Sequence, residues 1–100
     1  MSIIIAMSTI FAMPTAVSVH PNPFDSYIEI ELTCTENRDC IILLANLKDN
    51  KIIRMLGAGL ERGVNKITLD DLQSLQLGSY QLDIKDPAGD AIYMTLLVKQ

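Results

Sequence analysis

Gly63-x-Asn65-x-Ile67-x-Leu69, followed by Leu72-x-x-Leu75-x-x-Gly78-x-Tyr80-x-Leu82-x-Ile84, decides the fold. On both sides of the Leu-x-x-Leu-x-x-Gly link, apolar residues recur at every second position. This is the period of a strand with one buried face. The link has room for one helical turn over Asp71 to Leu77, crossing the end of a sheet pair. Gly78 fits a backbone angle that a Cβ would resist. Tyr80 fits a tyrosine corner, its ring inward and its hydroxyl bonded to the main chain just upstream.

Outward from this corner the same chemistry repeats. Ala91 to Val98 reads as a final strand, joined to Tyr80–Lys85 by Asp86-Pro87-Ala88-Gly89-Asp90, in which Pro presets one turn angle and Gly takes the positive one. Leu96 and Val98 are expected to finish the core. Upstream, Asn65 to Asp70 precedes the corner, and Gly57-Ala58-Gly59 with Gly63 reads as a flexible link after a strand over Ile52–Leu56. Lys48-Asp49-Asn50-Lys51 forms a turn, since Asp and Asn tolerate left-handed backbone. Cys40 to Leu47 is nearly all apolar and reads as a strand buried on both faces, or at least covered by a neighbour. Tyr27 to Cys34 alternates, with Ile28, Ile30 and Leu32 on one side and Glu29, Glu31 and Thr33 on the other. Val17 to His20 comes first and is stopped by Pro21 and Pro23.

Seven short strands with turn residues between them predict an all-β, immunoglobulin-like antiparallel sandwich over residues 17–100. Its expected core is Ile28, Ile30, Leu32, Leu44, Ile67, Leu69, Leu72, Leu75, Tyr80, Leu82 and Ile84.

At 100 residues, 49% of them apolar, the chain is one small domain with one modest core. A net charge of −4 argues against a phosphate-backbone partner. With 5% aromatics and no Trp, stacking platforms for sugars or single strands are poorly supplied. Ser2 to Met13 is uncharged and apolar, too short to span a bilayer and about the length of a signal-peptide core. No Lys or Arg precedes it, and small residues fit poorly at either cleavage position. Residues 1–16 therefore read as an apolar leader, a shortened terminus, a linker or the remnant of a preceding region.

Candidates for chemistry are few. His20 is the one histidine, and one His with two Cys falls short of a closed zinc site. Asp83, Asp86 and Asp90 flank the last hairpin, where solvated turn carboxylates are the ordinary outcome and weak Ca²⁺ binding the alternative. No catalytic residue, cofactor site or metal site is expected. Cys34 and Cys40 bracket a five-residue link, and parity turns Cys34 inward. A disulfide requires Cys40 to face inward as well, which the run Ile41 to Leu44, apolar on both parities, leaves open. Such a bond would stabilise by on the order of 2 kcal/mol.

Taken together, Pro21-Asn22-Pro23-Phe24, the Gly63-x-Asn65-x-Ile67 strand, the corner ending Gly78-x-Tyr80 and the terminus Leu97-Val98-Lys99-Gln100 resemble a type IX secretion C-terminal sorting domain. The resemblance covers about residues 17–100. It departs at Leu47-Lys48-Asp49-Asn50, where the family usually has a glycine that Asp49 or Asn50 must replace. The family usually has an aromatic residue before Pro-Asn-Pro, so His20 is expected to be a packing substitute.

The resemblance implies a non-catalytic delivery signal. Its partners would be a cargo protein N-terminal to the domain, an outer-membrane translocon and a cysteine-protease sortase cutting before Val17. The protein would be exported, periplasmic in transit and then held at the cell surface. Pro21, Asn22, Pro23, Gly78, Tyr80, Leu97, Val98, Lys99 and Gln100 would carry recognition, with the last strand open to capture by strand addition or by a carboxylate pocket. The alternative is a free-standing secreted immunoglobulin-like or fibronectin-like module in adhesion or glycan handling.

Overall fold

The computed structural model describes residues 16–100, so the apolar run before Ala16 lies outside the described residues. Seven strands follow one another: β1 Ala16–His20, β2 Ile28–Cys34, β3 Arg38–Asn46, β4 Ile52–Leu60, β5 Gly63–Leu69, β6 Gly78–Lys85 and β7 Ala91–Lys99. They form two antiparallel sheets, ordered β1-β2-β5 and β4-β3-β6-β7, packed as a β-sandwich.

Alternation places the core as expected. Ile28, Ile30 and Leu32 of β2 face Ile42 and Leu44 of β3 and Leu82 and Ile84 of β6, all fully buried. Leu69, Leu72 and Tyr80 join them. Ile67 and Leu75 are only partly buried and pack against this cluster from its rim. The corner is a single turn closed by Leu75 N donating to Leu72 O at 3.1 Å, and Leu72 N donates to Ser26 O at 2.9 Å, tying the corner to the start of β2. Asn50, at φ 58°, takes the left-handed place in this turn, while Asn46 Oδ1 and Asp49 Oδ1 accept main-chain bonds inside it.

Four readings need correction. Gly57-Ala58-Gly59 is not a flexible link. Gly57 pairs with Ile41 and Gly59 with Asp39, so β4 runs on to Leu60, whose side chain is buried. An edge strand tolerates glycine here because its partner supplies the ladder. β3 is not buried on both faces, since Ile41, Leu43 and Ala45 point outward and are only half-buried, flanked by β4 and β6.

In β7 the expected parity is reversed. Ile84 pairs with Tyr93 and Lys85 with Ala91, so Ile92 is an extra, bulged residue. Beyond it Leu97 and Lys99 point inward, leaving Leu96 and Val98 about half exposed. His20, finally, is no packing residue. It lies on the outer face of the first sheet, Nε2 3.4 Å from Glu29 Oε1. Inward places on β1 belong to Val17 and Val19.

Candidate functional site: a clamp on the C-terminal strand

β7 is the last strand of its sheet, and its outer edge would ordinarily present unpaired main-chain groups. Over Leu96 to Gln100 it does not. The segment after β1 turns at Pro21 and Pro23, both preceded by cis peptide bonds, and comes to lie along this edge. Proline has no N–H to donate, so the side chain between the two prolines does the pairing. Asn22 Nδ2 donates to Leu96 O at 3.2 Å, and Val98 N donates to Asn22 Oδ1 at 3.0 Å. One amide group thus imitates a peptide unit of a neighbouring strand.

Main chain takes over at the next step. Phe24 N donates to Val98 O at 2.8 Å and Gln100 N donates to Phe24 O at 2.9 Å, making a parallel bridge between Phe24 and Lys99. Strand addition at these positions, expected from the sequence, is therefore closed by the chain's own Pro-Asn-Pro-Phe segment.

Side chains lock the clamp to the corner. Phe24 is fully buried, its ring 5.9 Å from that of Tyr80 in an edge-to-face arrangement. Tyr80 pairs with Leu97 across the β6–β7 ladder, and its hydroxyl donates to Gln76 O at 2.7 Å, the tyrosine-corner bond expected. Gly78, at φ 141°, holds a backbone angle that favours glycine, with open space where a Cβ would stand. It pairs with Lys99. That lysine is 4% exposed, with Nζ 2.9 Å from Gln100 O and 3.4 Å from Asp25 Oδ1.

Each motif residue predicted from sequence therefore lies in or beside one structural unit, though with different duties. Pro21, Asn22 and Pro23 form the edge clamp, Gly78 and Tyr80 the corner beneath it, and Leu97 and Lys99 the buried side of the clamped strand. Val98 and Gln100 remain exposed, together with Leu96 on the same face as Val98. Phe24 and Asp25 were missed as site residues. An apolar ring directly after Pro-Asn-Pro was the one available sign that the segment docks inward.

Elsewhere, Cys34 and Cys40 are both inward, buried and free. Burial first, then Cys34 nearby, pushes the Cys40 thiol above its ordinary range; Arg38 opposes this and Asp39 adds to it. Asp86 builds the last hairpin, accepting from Gly89 N through its main chain and from Asp90 N through Oδ1, both at 2.9 Å, and Gly89 takes φ 94°. No group of three or more His, Cys, Asp or Glu among the described residues could hold a metal ion.

A groove of about 200 Å³ lies beside β4 and β5, where Arg54 Nη2 is already committed to Asp71 O at 3.0 Å. A second, of about 380 Å³, lies below the corner between Asn46 and Ser79. No helix among the described residues is long and apolar enough to cross a membrane.

Comparison with known proteins adds a fold-level likeness. No family model and no curated protein matches the chain. A solved β-glucosidase from Kluyveromyces marxianus matches at TM-score 0.54 and 11% identity, covering 87% of this chain. The chain spans only 14% of that enzyme's length, so what the two share is the sandwich alone.

Proposed function

We propose that this chain is a type IX secretion C-terminal sorting domain, a non-catalytic signal that carries a cargo fused ahead of Val17 through an outer-membrane translocon. The observation that carries the reading is the clamp. Asn22 and the terminal strand, 74 to 76 residues apart in sequence, are hydrogen-bonded into one unit. A delivery signal must survive transit as a folded body and keep its terminus in one shape for recognition. The clamp supports both requirements, because it satisfies the edge that would otherwise pair indiscriminately and presents Leu96, Val98 and Gln100 at fixed positions. A cysteine-protease sortase would cut upstream of Val17, in or before the residues that lead into β1, and leave the cargo at the cell surface.

The test is a reporter fused ahead of Val17, expressed in a type IX-competent cell and in the same cell lacking the translocon. Surface exposure in the first and periplasmic retention in the second is the expected result. Equal release from both cells would instead favour a free-standing secreted module in adhesion or glycan handling.

A further inference from the structure

The two outer faces of the sandwich differ in kind. On the β1-β2-β5 sheet the outward positions include Ser18, His20, Glu29, Glu31, Lys66 and Thr68, crossed by the His20–Glu29 and Lys66–Glu31 pairs. On the β4-β3-β6-β7 sheet the pairing register sets Met55, Leu43, Asp83 and Met94 in one outward row and Ile52, Ala45, Gln81 and Leu96 in the next. Of these, Met55 is 69% exposed and Ile52, Leu96 and Met94 each more than half. All seven described strands belong to the two sheets, and none lies across this face. Four strands at about 4.8 Å and about six residues at 3.3 Å make it on the order of 400 Å². Apolar patches of that size on a single chain are often functional.

We propose that a second copy of the chain covers this face, packed sheet to sheet about a two-fold axis level with Leu82. Such an axis, lying between the sheets and running across the strands, reverses strand direction and lays each strand on its own counterpart. The Gln81 row then meets the Asp83 row of the second copy. Ala45 sits against Leu43, small on large, Leu96 against Met94, and Ile52 against Met55.

The one charge at the centre also fits. Gln81 Nε2 already donates to the Asp83 carboxylate at 3.0 and 3.1 Å, and in the pair the amide also meets Asp83 of the second copy. An axis one row away, level with Asp83, would press the two carboxylates together, and like charges in contact disfavour that register. Aligned sheets cross at about 30°, so contact is tightest in these two central rows. Self-complementarity of this kind is what an isologous interface requires and a foreign partner does not. The area is about half of the roughly 800 Å² per partner of a standard interface, so the pair is weak and concentration-dependent. The inference does not rest on the sorting reading, but both use Leu96, so the pair and a recognising partner would exclude one another at that residue.

The test is sedimentation velocity of the full chain from about 10 μM to about 1 mM, the range in which so small an interface should fill. Amide NMR spectra are recorded over the same range. The weight-average sedimentation coefficient should climb toward that of a dimer, with shifts centred on Leu43, Gln81, Asp83 and Leu96. Leu96→Asp, at an exposed site the fold tolerates, should weaken association at least tenfold while melting close to the parent. Thr68→Asp adds the same charge on the polar sheet and should leave association unchanged. A monomer throughout the range overturns the proposal. So does association that Leu96→Asp leaves intact, which would place it elsewhere, including the apolar residues before Ala16. Equal weakening by Thr68→Asp would reduce the effect to net charge and overturn it too.

Discussion

Replacing Asn22 by Ala removes the two side-chain bonds that close the edge of β7, the Nδ2 donation to Leu96 O and the acceptance from Val98 N. Each bond contributes about 0.5–1.5 kcal/mol net, and both lie where water can partly replace them, so the loss should be roughly 1–2 kcal/mol. For a domain of this size that lowers the melting temperature by about 4–15 °C. Asn22→Asp is the sharper variant. It keeps the acceptor for Val98 N but turns a carboxylate oxygen toward Leu96 O, so it should be at least as destabilising as Ala although it is nearly isosteric. Urea midpoints give the free energies, and amide exchange at Val98 gives the location. Protection there should fall in Asn22→Ala while the amides of β2 and β3 change only with global stability. A midpoint equal to the parent's, with Val98 protection intact, would refute the claim that Asn22 holds the terminal strand.

Three further outcomes follow from the same geometry. Gly78→Val should destabilise by about 1–3 kcal/mol, through backbone strain and not through a clash, and Tyr80→Phe by about 1 kcal/mol for the bond to Gln76 O; denaturant midpoints equal to the parent's in both would remove the corner. Lys99→Met should unfold within about 1 kcal/mol of the parent, because an apolar chain fills the buried site and leaves behind a solvent-exposed Asp25 and the carbonyl of the exposed Gln100, both open to water; a loss above about 3 kcal/mol from urea unfolding would show the lysine's polar contacts to be structural in their own right. The Cys40 thiol lies above its ordinary range in the folded state, so in the unfolded chain it ionises first and stability present at neutral pH is lost as pH rises through and beyond that range; urea midpoints against pH should fall more steeply for the parent than for Cys40→Ala, and equal slopes would count against it.

The sandwich was legible because each buried strand face carries an unbroken period of two, as in Ile28-x-Ile30-x-Leu32 and Tyr80-x-Leu82-x-Ile84. Side-chain spacing alone settles such strands. β7 was misread for the complementary reason. Ile92, Tyr93, Met94, Leu96, Leu97 and Val98 are apolar on both parities, and a bulge at Ile92 that no residue type announces sets which of them face in. β4 was cut short because its glycines look like a linker until β3 is seen to pair with them. The corner residues Gly78 and Tyr80 were readable from local chemistry. The clamp was not, since it joins Asn22 to a strand at the other end of the chain, and nothing in Pro-Asn-Pro by itself names the edge that the amide will cover.

The most direct measurement is delivery of a reporter fused ahead of Val17 in a type IX-competent cell, compared among the parent, Lys99→Met and a variant carrying a short polar extension after Gln100, each also melted as purified protein. Lys99 is buried under the clamp while Gln100 is exposed, so Lys99→Met should still deliver, and the extended variant, folded as stably as the parent, should leave its reporter in the periplasm. Surface exposure of the extended variant's reporter at the parent's level would show that the exposed terminus is not what is recognised and overturn the sorting role.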